Sequence, residues 1–281
     1  MVTNYLTIDV EDYFQVSAFE GVIKPENWEL YESRIENNTR RILEILAEHN
    51  VRATFFILGW IAEKHPKLVK DINEKGHEIG CHSYWHRKVY DLTPDEFRVD
   101  TRKAKDILEG LIGKKIFGYR APSYSITRNS LWALDILEEF SFAYDSSIFP
   151  IYHDIYGLPD APRFKYQLTN NNMTEYPIST ALFLGRKIPV SGGGYFRLFP
   201  YWFTKWALKR INEKESQPFV FYLHPWEIDP DQARIIKARL KSKFRHYINL
   251  DKTTERFERL LHDFAFGPFD RHKNEDLHQI T

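Results

Sequence analysis

Short apolar runs alternate with amphipathic stretches along most of the chain. Residues 4–10 (NYLTIDV), 51–58 (VRATFFIL), 77–81, 116–119, 142–145, 174–178 and 219–223 (FVFYL) read as strands. Between them, Ile35, Ile42, Ile45 and Leu46 recur at helical spacing over 34–48. Ile61, Leu68, Val69 and Ile72 do the same over 60–75, and Gly76 stops that helix. Thr93-Pro94-Asp95-Glu96 is a capping box with proline at the first helical position. It opens a helix whose inward face is Phe97, Thr101, Ala104, Leu108 and Leu111. A further helix is predicted over 128–140. Residues 150–218, rich in Pro, Asn and Gly and containing Ser191-Gly192-Gly193-Gly194, break the rhythm and predict an irregular, looped insertion. Residues 227–266 read as helical again.

Strands separated by helices imply parallel pairing, because each crossover needs a helix. At 281 residues, the expected fold class is α/β, with a closed or nearly closed barrel favoured over an open sheet. Lys+Arg and Asp+Glu both number 39, so no global field draws the chain to nucleic acid or to an acidic membrane. Locally the balance fails: Arg234, Lys237, Arg239, Lys241, Lys243 and Arg245 have no acidic residue among them. That run is either a solvated helix face or a docking strip for an anionic polymer or lipid phosphate. Aromatic residues make up 16% of the chain. A Tyr- and Phe-rich core absorbs most of them, and the rest could offer flat surfaces to sugar rings. The single cysteine, Cys81, forms no internal disulfide and reads as a core residue. No apolar run approaches the roughly 18 residues of a membrane helix. The first residues lack a basic patch ahead of an apolar stretch, so a cytoplasmic location is expected.

The candidate chemistry sits at strand ends. Asp9, Glu11 and Asp12 end the first strand, His82 follows the third, Arg120 the fourth, Asp145 ends the fifth and His224 follows the last. In a parallel barrel these ends share one rim, where active sites are built. His82 and His86 stand four apart, a spacing that in a helical turn puts both imidazoles on one face. A carboxylate from Asp9-Val10-Glu11-Asp12 would complete a two-histidine, one-carboxylate set with positions left for water and substrate. On an extended strand Asp9 and Glu11 point to one side and Asp12 to the other; a turn after Val10 would swing Asp12 to the ion. One acid then remains as general base, with Arg120 as its partner. His224 emerges from a buried strand as a candidate acid for a leaving amine, with Asp145 as its orienting partner.

With these residues in place, the chain resembles polysaccharide deacetylases with the NodB homology domain, carbohydrate esterase family four. The resemblance rests on Thr7-Ile8-Asp9-Val10-Glu11-Asp12, His82-Ser83-Tyr84-Trp85-His86, Arg120-Ala121-Pro122-Ser123-Tyr124, Tyr144-Asp145-Ser146-Ser147 and Leu223-His224. It implies a distorted seven-stranded (β/α) barrel, one domain over 1–281, with a C-terminal extension over 226–281 packed on it. That extension resembles a subfamily found with bacterial exopolysaccharide export loci. The resemblance further implies a divalent metal, zinc first, held by Asp12, His82 and His86 with Glu11 as the rival carboxylate. Asp9 is then the base held by Arg120, and His224 the acid oriented by Asp145. A backbone N–H near Tyr124 serves the oxyanion, and Tyr13, Phe14, Trp85, Tyr124 and Trp226 are candidate walls for sugar rings. The implied reaction is removal of N-acetyl groups from amino sugars of a bacterial polysaccharide or its precursor. The implied partners are that substrate and, peripherally, an exopolysaccharide assembly complex, with no nucleic acid. Two other expectations stand beside it: hydrolysis of small cyclic amides on the same barrel, and a non-catalytic carbohydrate-binding role.

Overall fold

Parallel strand pairing sets the architecture. The computed structural model describes residues 2–153, 156–168 and 172–269. In chain order its elements are β1 (Thr3–Val10), α1 (Ile35–Glu48), β2 (Thr54–Ile57), α2 (Gly59–Lys64), α3 (Pro66–Glu74), β3 (Glu78–Cys81), α4 (Pro94–Ile112), β4 (Gly118–Tyr119), α5 (Trp132–Glu139) and β5 (Tyr144–Asp145). There follow β6 (Tyr166–Gln167), β7 (Thr174–Glu175), β8 (Thr180–Phe183), β9 (Arg186–Pro189), α6 (Gly193–Leu198), α7 (Tyr201–Lys214), β10 (Val220–Leu223), α8 (Leu240–Tyr247), α9 (Thr253–Asp263) and β11 (Ala265–Gly267). The main sheet runs β10-β1-β2-β3-β4-β5-β7-β6, and β11 also pairs with β1. Every neighbour pair in it is parallel except β6 with β7.

The result is a mixed α/β fold on a curled parallel sheet rather than a closed barrel: among the described residues no ladder joins the two ends of the sheet. Smaller links lie against β10. Tyr222 N–H donates to the Ser191 carbonyl (3.0 Å), Val220 N–H donates to Ser179 Oγ (2.8 Å), and Gly192 forms a single parallel bridge to Tyr222. A Cβ at Gly192 would stand 2.1 Å from the Tyr222 carbonyl oxygen, and the residue has φ 138°. The glycine run therefore admits the close approach of β10.

Alternation along β1 sorts the two faces of the sheet. Leu6, Ile8 and Val10 join the core under the helices with Ile42, Ile61, Leu68 and Phe97. The opposite face carries Phe56, Tyr124, Tyr144, Tyr176, Val220 and Tyr222, with Tyr5 packed against them. In this second, aromatic layer the Asp9–Arg120 pair lies at the carboxyl-end rim, while Thr54, Glu78 and the Tyr144 hydroxyl form a polar group at the amino end.

The helix predicted over 60–75 is broken into α2 and α3 at His65, because Pro66 disfavours the helical conformation in the residue before it (His65 φ −126°, ψ 57°). The capping box opens α4 as expected, with Glu96 N–H donating to Thr93 Oγ1 (3.3 Å) and Thr93 N–H to the Glu96 carboxylate (2.8 Å); Gly113 closes it at φ 69°. The looped insertion is a correction: 150–218 contains α6, α7 and the antiparallel hairpin β8–β9. The helical period of α7 lies in Tyr201, Thr204, Ala207, Leu208 and Ile211 and is obscured by Trp202, Phe203 and Trp206 on its other faces. The stretch 227–266 is helical in 3-10 turns at Pro225–Ile228 and Leu250–Lys252 and in α8 and α9, with irregular chain between them. β11 then returns to pair with Thr3–Tyr5. His272 and His278, like the rest of 270–281, lie outside the described residues. No described helix is long and apolar enough to cross a membrane.

Candidate metal centre and active site

Strand register gathers the candidate groups. Ile8 pairs with Leu223 and Asp9 with Phe56, so the chain leaves β1 beside the end of β10. Cys81 pairs with Tyr119, which sets His82 beside Arg120. Arg120 N–H donates to the Cys81 carbonyl (2.9 Å), and His82 Nδ1–H donates to the Arg120 carbonyl (2.7 Å). A carbonyl only accepts, so Nδ1 carries the proton and Nε2 keeps its lone pair.

Glu11, His82 and His86 each offer a ligand atom, all within 4.8 Å of one another and all from buried residues. Glu11 Oε2 is 2.6 Å from His86 Nε2 but out of line for a hydrogen bond, which leaves it a buried acceptor without a donor. Burial pushes the Glu11 carboxyl up, but His86 and His224, with His82 behind them, outweigh it and hold it well below the usual carboxylate range. Burial pushes His82 down to about 4 against the pull of Asp9, so its imidazole stays neutral and able to ligate. An ionised carboxylate, a neutral imidazole and an orphaned buried oxygen fit a divalent cation, and two nitrogens with one oxygen suit zinc.

Asp12 is a correction. Its carboxylate accepts from Ser33 Oγ (2.8 Å), Arg34 N–H (2.9 Å), Ile35 N–H (3.2 Å) and Tyr13 N–H (3.0 Å), so it caps the start of α1 and faces away from the imidazoles. Burial pushes it up to about 6 despite those donors. The chain does turn where β1 ends, with Glu11 N–H donating to the Asp9 carbonyl (3.0 Å), but the carboxylate that reaches the imidazoles is that of Glu11. The two histidines are also not on a helical turn. They lie in a loop after β3, with Ser83 at φ 64° and His86 at φ 52°, conformations uncommon outside glycine. Asp100 on α4 pins this loop by accepting from Tyr84 N–H (2.7 Å) and Trp85 N–H (3.1 Å).

Arg120 is fully buried and grips Asp9. Its Nη1 donates to Asp9 Oδ1 and to Thr7 Oγ1 (both 2.7 Å), its Nε to the Ser146 carbonyl (3.1 Å) and its Nη2 to Ser146 Oγ (2.8 Å). The Tyr124 hydroxyl lies 3.5 Å from Asp9 Oδ2. The Tyr124 N–H donates to the Ala121 carbonyl (3.1 Å), so that amide is not available to an oxyanion.

His224 Nε2 stands 3.5 Å from Glu11 Oε1 and 3.9 Å from Asp9 Oδ2. Its side chain is 16% exposed, enough to meet a ligand at the rim. Its other nitrogen, Nδ1, is held by Glu227 Oε2 (3.1 Å), and Glu227 is locked in turn by Arg197 Nε (2.8 Å). Burial favours a neutral His224, but Glu11, Glu227 and Asp9 together raise it to about 9. The expected partner, Asp145, is elsewhere. Its carboxylate takes Ser147 Oγ (2.5 Å) and Ser147 N–H (3.2 Å), and beside it burial and the Asp145 charge push Glu175 far above the carboxylate range. The sequence reasoning passed over Glu227 and Asp100. The capping-box spacing His224-Pro225-Trp226-Glu227 signals the first. The second lies on the inward face of α4 between Phe97 and Thr101.

Two expected sugar walls are not available. Tyr13 is buried against Phe14. Trp226 is stacked on one face by His224 (5.2 Å) and on another by His246 (4.1 Å), and its Nε1–H donates to Glu11 Oε1 (3.2 Å). Trp85 and Phe14, with Trp28 and His86, instead line a cleft of about 620 Å³ that opens beside the cluster. Burial pushes the Cys81 thiol up to about 12, consistent with a core residue.

The model of the family described as polysaccharide deacetylase matches residues 27–138. The chain carries a polysaccharide deacetylase domain. Its matched stretch holds His82, His86 and Arg120, whereas Asp9 and Glu11 precede it. His224 and Glu227 fall in a second match, over 146–273, to a domain of unknown function, DUF3473. The deacetylase domain is 43% identical over 98 residues to a peptidoglycan-N-acetylglucosamine deacetylase of Bacillus cereus, covering 34% of this chain and 36% of that protein. It is 33% identical over 102 residues to a chitooligosaccharide deacetylase of Rhizobium leguminosarum bv. trifolii, covering 35% and 43%. The chain spans roughly a third to a half of the length of the curated relatives it matches. In fold it is similar to a Mycobacterium smegmatis protein assigned to the polysaccharide deacetylases (TM-score 0.62, 19% identity, 99% of this chain and 91% of that one). It is also similar to PuuE allantoinase (TM-score 0.54, 17% identity, 90% and 84%).

Proposed function

We propose that this chain is a metal-dependent N-deacetylase that removes acetyl groups from amino sugars of a polysaccharide or its precursor. The observation that carries it is the Glu11–His82–His86 cluster, flanked on one side by the Asp9–Arg120 pair and on the other by His224. Glu11, His82 and His86 are the residues that would hold the ion, zinc by the character of the donors. A divalent cation there would supply Lewis-acid polarisation of the acyl group and of a water.

The protein's own groups do the rest. Arg120 occupies Asp9 Oδ1, which leaves Oδ2 to accept a proton from the attacking water. His224 Nε2 gives a proton to the departing amine nitrogen, and Glu227 keeps the ring in the orientation that aims Nε2 at the site. Trp85, partly exposed at the neighbouring cleft in front of the buried Phe14 and Trp28, offers an aromatic face to a sugar ring, which favours a saccharide over a small cyclic amide. The curated relatives act on peptidoglycan N-acetylglucosamine and on chitooligosaccharides, and an N-acetylated oligosaccharide is the matching substrate class.

The test is acetate release from N-acetylated chitooligosaccharides and peptidoglycan fragments, with elemental analysis of bound metal alongside. Chelation should abolish release and readdition of zinc should restore it. His82→Ala should lose both metal and activity. Release that survives metal removal and His82→Ala overturns the assignment.

A further inference from the structure

We propose that residues 234–245, beside the catalytic mouth, are a docking strip for an anionic phospholipid bilayer. The six cations of this run lie on a chain of zero formal charge. Three large apolar side chains are presented among them: Ile236 is 83% exposed, Leu240 81% and Phe244 61%. They are spaced four apart, and Leu240 and Phe244 share one face of α8. The residues beside them that hold the strip to the protein, Ile235, Ala238 and His246, are buried. Scattered exposed apolar residues need no explanation, but three within nine residues, two of them one turn apart on α8 and the third in the turn before it, do.

Among the described residues no acidic group forms an ion pair with Arg234, Lys237, Arg239, Lys243 or Arg245. Arg234 lies over the Tyr247 ring (4.2 Å), and Lys243 Nζ donates to the Ile236 carbonyl (3.2 Å). The strip therefore fits an occupant that is polyanionic at its surface and apolar just beneath. An anionic bilayer has both: lipid phosphates for the guanidinium and ammonium groups, and an acyl boundary for Ile236, Leu240 and Phe244. A nucleic acid or acidic polysaccharide supplies the anions but no place for the aliphatic side chains. A second copy would bring cations against cations.

The strip also has a fixed relation to the rim. His246 of α8 stacks on Trp226, and Trp226 stacks on His224. A bilayer seated on the strip lies two ring contacts from the acid. This membrane affinity stands apart from the hydrolytic assignment, because it needs neither the metal nor an acetylated substrate.

The experiment is vesicle flotation of the full chain with phosphatidylcholine alone and with about a third phosphatidylglycerol. Partition onto the anionic vesicles should exceed that onto neutral ones by at least about tenfold and should collapse near 0.5 M salt, where the screening length falls to roughly 4 Å. Leu240→Ser with Phe244→Ser should lower partition at least about tenfold. Lys237→Gln with Arg239→Gln, which leaves the apolar stripe intact, should lower it about fivefold per removed charge and erase the lipid preference. Thermal unfolding of both variants separates lost docking from lost fold. The proposal is overturned by absence of partition, by partition indifferent to lipid charge and salt, or by capture of an acidic polysaccharide or nucleic acid in place of vesicles. It is equally overturned by retention in both strip variants with loss in Trp202→Ser/Trp206→Ser, which alters the separate exposed patch on α7.

Discussion

Glu227, not Asp145, holds His224: the Glu227 carboxylate lies 3.1 Å from Nδ1 and is fixed by the buried Arg197. Glu227 is thus a positioning residue for the candidate acid. Glu227→Gln should lower turnover by about one to two orders of magnitude with metal content unchanged. The sign of its pH effect follows from the geometry. His224 must be protonated to act, and Glu227 is one of the charges that raises it to about 9. Its loss lowers that value, so the alkaline fall in activity moves to lower pH. Asp145→Asn should not shift this limb. A pH–rate profile of the two variants checks both outcomes.

Glu11 and Asp12 are adjacent carboxylates with opposite assignments. Glu11→Ala should weaken zinc binding on the order of a hundredfold or more, read by competition with a chromogenic chelator. Asp12→Ala should leave metal stoichiometry intact and cost about 2 kcal/mol of stability, because it strands the amides of Arg34 and Ile35 and the hydroxyl of Ser33. Loss of metal in the Asp12 variant with retention in the Glu11 variant would reverse the assignment.

Asp100 carries the histidine loop through two backbone amides. Asp100→Ala should loosen His82 and His86 together and lower zinc affinity about 10- to 100-fold. Asp100→Asn keeps an acceptor and should recover part of that loss. Equal affinities across the three proteins would show that the loop holds its shape without Asp100.

His77 gives a stability prediction away from the site. Its Nδ1 accepts from Ala53 N–H (3.2 Å), which only a neutral ring can do. Burial, helped by Arg52 and Lys75, pushes it down to about 4. Between that value and the ordinary 6.5 the unfolded chain binds the extra proton, so stability falls as pH drops through this window. His77→Asn keeps an acceptor that does not titrate. From pH 7 to pH 5 the parent chain should lose about 2 kcal/mol more than the variant, read from urea midpoints.

Much of this arrangement was legible in the sequence. The apolar runs located the strands, and parallel order then required Asp9, His82, Arg120 and His224 to meet at one rim. Alternation of an extended chain grouped Asp9 with Glu11 and set Asp12 opposite, although β1 itself ends at Val10 and a turn follows. What misled was the expectation, drawn from resemblance, that the later carboxylate reaches the ion. The donors that take Asp12 come from Ser33 to Ile35, about twenty residues away, and no local pattern announces them. Asp100 acts on the histidine loop through backbone contacts that only the folded chain brings into register, whereas Glu227 has a local signal in its capping-box spacing from His224. The helix α7 was hidden because aromatic residues on its solvent side blur the helical period.

β10 lies directly against β1, with Leu223 opposite Ile8. Because successive residues of a strand face opposite ways, gain or loss of one residue between Phe219 and His224 would turn the imidazole toward the helices. Glu11, His82 and His86 come from other parts of the chain and would stay together, though Glu11 would lose the indole donor of Trp226. On the proposed assignment, such a protein would keep the three ligands of the ion yet have no proton to give the amine. In this architecture the step from catalyst to sugar-holding shell is one codon wide.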